Sequence, residues 1–105
     1  MTTKTYAGKR VDVDAEGFLL DADQWTPEVA QGIAEEAGLA LTCAHWSVIR
    51  FVRGDTATTG VSPGPRRITT SCPGVTMRDL YALFPKGPGK LVARVAGVPK
   101  PKACL

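Results

Sequence analysis

Apolar and polar residues alternate at the start of the chain and recur at helical spacing through most of its remaining length. Val11 and Val13 alternate with Arg10 and Asp12, the period of two expected of a half-buried strand over Lys9–Val13. Asp14-Ala15-Glu16-Gly17 is a turn signal, and Phe18-Leu19-Leu20 resumes the apolar run, which predicts a hairpin. Residues 3–6, ahead of the Ala7-Gly8 turn, add an edge strand, so residues 1–20 read as a β-meander.

Helical punctuation takes over at Thr26-Pro27-Glu28: an N-cap, a proline suited to the first helical position, and an acid at the positive helix end. Val29, Ala30, Ile33, Ala34 and Ala37 mark one face, and Gly38 supplies the stop. Thr42 opens a second helix in which Trp46, Ile49 and Val52 recur, ending at Gly54. Glycine and proline are dense across 54–76, which predicts a loop with one short turn near 66–70. Thr76 caps a third helix carrying Met77, Leu80, Tyr81 and Phe84, ended by Pro85. Gly87-Pro88 starts a fourth, with Leu91, Val92, Val95 and Ala96 buried and Gly97 past its end. The expected fold is α+β and mainly α: a meander packed on an array of about four to five helices (26–96).

The last residues are different. Pro99 and Pro101, one residue apart, exclude a helix or a central strand and favour an extended arm over 97–105. At about 3.1 Å per residue, the stretch from Pro99 to Cys104 would reach roughly 15–20 Å.

With 105 residues the chain fits a single domain, and its charged fraction of 22% excludes disorder throughout. A net charge of +3 is too small a basic excess to imply nucleic acid, though it suits an acidic protein partner. No apolar run is long enough to cross a bilayer and no signal-peptide core opens the chain, so a cytoplasmic location is expected. Cysteines occur at 43, 72 and 104. An odd count at wide spacing argues against a disulfide framework and leaves room for a working thiol.

Cys104 has the attributes of a sulfur carrier. A thiolate is a soft nucleophile that attacks a persulfide and retains its outer sulfur, and a terminal arm presents it to other proteins. Lys100 and Lys102 would favour the thiolate, against the opposing C-terminal carboxylate. The bland alternative is an inert cysteine at a frayed end. Cys72 reads either as a substitute resolving thiol or as an incidental loop cysteine. Cys43, in the first turn of a helix, reads as a packed bystander or a reactive thiol.

His45 is the sole histidine, and structural hydrogen bonding is its simpler role. Cys43, His45, Cys72 and Cys104 match no zinc spacing, and Gly87-Pro88-Gly89-Lys90 lacks the glycine and hydroxyl residue of a phosphate loop. No metal or cofactor is expected. Arg50, Arg53, Arg66 and Arg67 form a basic set: a solvated face, or a docking patch for an acidic partner or for DNA.

Leu83-Phe84-Pro85-Lys86-Gly87-Pro88-Gly89-Lys90, followed by Ala96-Gly97-Val98-Pro99-Lys100-Pro101-Lys102-Ala103-Cys104-Leu105, resembles the C-terminal signature of the DsrC/TusE sulfur-relay family. Asp14-Ala15-Glu16-Gly17-Phe18-Leu19 is similar to that family's hairpin, and Trp25 with Glu28-Val29-Ala30 to its first helix. Leu41-Thr42 and His45-Trp46 resemble the start of its second helix.

The resemblance implies that Cys104 bears the persulfide. It also implies an upstream sulfur-donor protein and a downstream acceptor, either a tRNA-thiolating enzyme or a sulfite-reductase-like complex. Neither a membrane nor direct nucleic-acid contact is expected. Members acting with dissimilatory sulfite reductase carry a second arm cysteine, whose place here is taken by Ala93. The chain therefore resembles the single-cysteine, TusE-like branch, which relays sulfur towards tRNA thiolation as a sulfurtransferase-like carrier. The alternatives are a single-cysteine protein of dissimilatory sulfur metabolism and a DNA-binding regulator without sulfur transfer. Two departures are mild, Ala103 and Leu105 for the usual Gly and Val. A third is larger: 69–85 is shorter than usual and loses an apolar, Lys-rich helix.

Overall fold

The computed structural model describes residues 2–85 and 87–102. A two-stranded antiparallel hairpin, β1 (Thr2–Tyr6) and β2 (Lys9–Val13), pairs Thr2 with Val13 through Tyr6 with Lys9. Ala7 and Gly8 both take positive φ, 53° and 78°, as the tight two-residue turn of a twisted hairpin demands. The pairing thus forms across Ala7-Gly8. The run expected as the other half of the hairpin, Phe18-Leu19-Leu20, adds only one bridge, Leu19 to Val13. Asp14 explains this: its carboxylate accepts from the N–H groups of Glu16 and Phe18, folding the chain into a local turn.

Among the described residues, five helices come after a 3-10 turn at Ala22–Gln24: α1 (Pro27–Glu36), α2 (Cys43–Thr59), α3 (Pro65–Ser71), α4 (Met77–Leu83) and α5 (Pro88–Ala96). Thr26 caps α1 by accepting from Val29 N–H, with Pro27 at its first position. Thr76 and Asp79 form a reciprocal capping box on α4. These starts match the expectations from the sequence.

Two boundaries do not. The second helix runs through Gly54 to Thr59 and stops at Gly60, where φ is +79°. Glycine inside a helix costs about 1 kcal/mol but does not end it, and Thr56, Thr58 and Thr59 bond back to carbonyls one turn earlier. The stretch 54–76 is therefore not a loop. It holds the end of α2 and all of α3, which opens at Gly64-Pro65 and buries Pro65 and Ile68.

At the centre lies α5, packed against α1, α2 and α4, with seven of its nine residues buried. Around it close Val29, Ile33, Val48, Ile49, Val52, Ile68, Leu80 and Phe84, together with Val11, Val13 and Phe18 from the N-terminal segment. No helix among the described residues is long and apolar enough to cross a membrane.

Candidate functional site

The C-terminal segment leaves α5 through a tight closure. Gly97 takes φ +68°; its N–H donates to Arg94 C=O (3.2 Å) and the Val98 N–H to Ala93 C=O (3.1 Å), the paired bonds of a Schellman motif. A Cβ at Gly97 would fall 2.4 Å from the Trp25 ring, so backbone conformation and lack of a side chain are both required there. The indole is held by its own N–H, which donates to Val95 C=O at 2.8 Å. Arg53 lies over it, its guanidinium 4.0 Å from the ring centroid, and donates to Ala96 C=O at 2.8 Å. Burial lowers the Arg53 pKa.

Beyond Gly97 the chain is neither helix nor strand, as its prolines require, but its described part does not project as an arm. Val98 and Pro101 are buried, Pro101 beside Gly89 at the start of α5 and close to Pro65 at the start of α3. The buried Ser62 hydroxyl donates to Pro99 C=O. The Lys100 ammonium meets Glu16, in the turn after β2, at 3.1 Å. Apolar side chains at 98 and 101 and a carbonyl at 99 find partners on the body, which outweighs the extended preference of an isolated Pro-x-Pro segment.

Most residues singled out in the sequence can be placed. Cys104 lies outside the described residues. Lys102 is exposed and lines a shallow groove of about 380 Å³ with Asp55, Val61, Ser62 and Arg67. Arg66 is exposed, while Arg67 is tied to Asp55 by two bonds of 2.7 and 2.8 Å that lower the Asp55 pKa and raise that of Arg67. The four-arginine set is thus not one patch: Arg53 faces the tail and Arg67 is neutralised, leaving Arg50 and Arg66 exposed. That weakens the DNA-binding alternative. Cys72 is not in a flexible loop but caps the C-terminal end of α3, buried, with its N–H bonded to Ile68 C=O. Cys43 is exposed in the first turn of α2.

His45 is structural. Its Nδ1 accepts from Thr42 N–H at 3.0 Å, leaving Nε2–H to donate to Leu83 C=O at 2.8 Å, and its ring meets Phe84 edge-on. Sequence reasoning missed Ser62 and Glu16 as holders of the tail and misread Arg53, whose partners all lie far along the chain.

The family model described as DsrC like protein matches residues 5–105, nearly the whole chain and through the penultimate cysteine. The chain belongs to the DsrC-like family. Sulfurtransferase TusE of Escherichia coli O6:H1 is 39% identical over 106 residues, covering 95% of this chain and 97% of the relative. The Pectobacterium atrosepticum protein of the same name is 38% identical with the same coverage. The oxidized γ-subunit of dissimilatory sulfite reductase (DsrC) from Archaeoglobus fulgidus superposes with a TM-score of 0.85 at 34% identity, over 99% of this chain and all of that one. Allochromatium vinosum DsrC gives 0.83 at 36%, over 98% and 97%. The DsrC-like architecture expected from the sequence motifs, a hairpin followed by helices, is therefore the one the chain adopts.

Proposed function

We propose that this protein is a sulfur-relay carrier that holds sulfane sulfur as a persulfide on Cys104. The observation that carries the reading is end-to-end similarity to relatives named Sulfurtransferase TusE, within a family match that extends across Cys104. The chemistry is a thiol exchange that balances without further reagents. The Cys104 thiolate attacks the outer sulfur of a donor persulfide; a new S–S bond forms at Cys104, the donor S–S bond breaks, and the donor's inner sulfur leaves as a thiolate. Delivery repeats the exchange, with the acceptor's thiolate attacking the outer sulfur now on Cys104.

Lys102 is exposed and without an ion pair among the described residues, which supports a role in favouring the thiolate two positions on in the sequence. Lys100 instead spends its charge on Glu16. Arg66 and Arg67 flank the start of α3, beside the groove that Lys102 lines, on the face a visiting protein would meet. The partners are an upstream sulfur-donor protein and a downstream acceptor in tRNA thiolation. Ala93 in place of a second arm cysteine favours this over the sulfite-reductase reading, and the burial of Cys72 favours a packed thiol over a resolving one. The chain acts as one domain whose working residues sit at its C-terminal end.

Intact mass spectrometry after incubation with cysteine persulfide tests the proposal. One sulfur atom is expected on the wild type, located by digestion to the C-terminal peptide. Uptake should vanish in Cys104→Ser and persist in Cys43→Ser and Cys72→Ser. Full uptake by Cys104→Ser would overturn it.

A further inference from the structure

Pro99 and Lys100, beyond α5, are fastened by side chains from separate elements. Ser62, buried in the connection between α2 and α3, donates to Pro99 C=O, and Glu16, in the turn after β2, pairs with Lys100. Pro101 then seats at the joint starts of α3 and α5, beside Gly89. Pro99 and Lys100 themselves are exposed and add nothing to the core. What Ser62 and Glu16 hold is therefore the segment that leads to Cys104.

We propose that Ser62 and Glu16 are positioning residues for Cys104. This rests on the relay reading. Three residue steps separate Pro101 from Cys104, and the chain can span at most about 11 Å over them. With Pro101 held, the backbone of residue 104 can range no further than that distance from it. A carrier whose root is already ordered loses less entropy on docking than one that must order it there. A small donor needs no docking and is indifferent to the root. The two hold the segment from opposite sides by different means, a buried hydroxyl bond and an exposed ion pair, so each can be removed separately.

The test compares Ser62→Ala, Glu16→Lys and the double variant with the wild type, using cysteine persulfide and a persulfidated rhodanese-type protein as donors. Amide ¹⁵N order parameters at Lys100 and Lys102 are measured alongside. Ser62→Ala should slow uptake from the protein donor by roughly fivefold, the factor set by one ordinary hydrogen bond, and Glu16→Lys by less because its ion pair is exposed, with uptake from cysteine persulfide unchanged in both. The order parameters at 100 and 102 should fall below about 0.6 in the double variant while the rest of the chain keeps its wild-type values. Combining Glu16→Lys with Lys100→Glu should restore both rate and order, which general destabilisation would not do.

Equal slowing with both donors would overturn the proposal, as would wild-type order at Lys100 and Lys102 in the double variant. Glu16 is exposed, so its variants keep the question answerable even if Ser62→Ala fails to fold. A wild type that takes no sulfur from cysteine persulfide would sink the relay reading instead, and the amide data would still decide whether these residues hold the root.

Discussion

The helices α3 and α5 open on the same pair of residue types and end in opposite ways. Each begins with a Gly-Pro pair, Gly64-Pro65 and Gly87-Pro88, whose proline needs no hydrogen-bonded N–H in the first turn. From there α5 buries seven of nine residues and closes on the left-handed Gly97, whereas α3 buries two of seven and closes on Cys72 in an extended conformation. One is the hub of the core and the other a bracket on its side. Pro101 sits where their starts meet. Identical local punctuation therefore specifies a helix start and nothing more; what the helix does depends on the face it buries.

If α5 is the hub, damage to its closure should spread through the molecule. Gly97→Ala combines left-handed strain with a Cβ driven into Trp25, whose ring is itself pinned by Val95 and Arg53. Together these should cost about 3 kcal/mol, a fall in melting temperature of roughly 12 °C or more, read by calorimetry. A loss under about 1 kcal/mol would mean that the tail closure is not integral to the core.

If α3 is a bracket, its damage should stay local. Ile68 is fully buried, and Ile68→Ala should cost about 2–3 kcal/mol. Hydrogen exchange should quicken first in α3 and at the Cys72 amide, leaving α5 protected. Cys72 should gain reactivity towards an alkylating reagent as its cover opens. Uniform loss of protection across α3 and α5 would dissolve the distinction between the two helices.

The same contrast explains what could be read from the residues. The helices α1, α4 and α5 carry signals at both ends: Thr26-Pro27 with Gly38, Thr76 with Pro85, Gly87-Pro88 with Gly97. The hairpin expected across Asp14–Gly17 forms instead across Ala7-Gly8, since the Asp14 carboxylate folds the later segment into a local turn. In α3 the opening signal lies among so many breakers that it reads as loop, and Gly54 imitates a stop six residues before the real one at Gly60. Cys104 is proposed from its motif alone. Ser62, Arg53 and Glu16 were not legible, because their partners lie 37, 43 and 84 residues away. Periodicity encodes faces, and nothing local in a sequence encodes which distant carbonyl a hydroxyl will meet.

Surface charge offers the finest comparison, since each helix has one arginine–carboxylate contact. Arg94 on α5 reaches Glu36 at 3.4 Å, where Lys4 and the Tyr6 hydroxyl also converge; Arg67 on α3 grips Asp55 bidentately. Hydrogen bonds from Lys4 hold the Glu36 carboxyl below its usual range, and those from Arg67 do the same for Asp55. A carboxyl with a depressed folded-state pKa contributes stability that is complete above its unfolded value, near 4, and is lost as pH falls through the folded one. Melting temperature should therefore stay level from neutrality to about pH 5 and decline below about 4. Glu36→Gln should flatten that decline while lowering neutral stability by less than about 1 kcal/mol, because the site is partly open to water. Asp55→Asn should flatten it too, with the loss confined to the exchange protection of α3, whereas Glu36→Gln should loosen the contact of β1 with α1. A decline that begins above pH 5, or one untouched by both changes, would show that other groups set the acid limit of this fold.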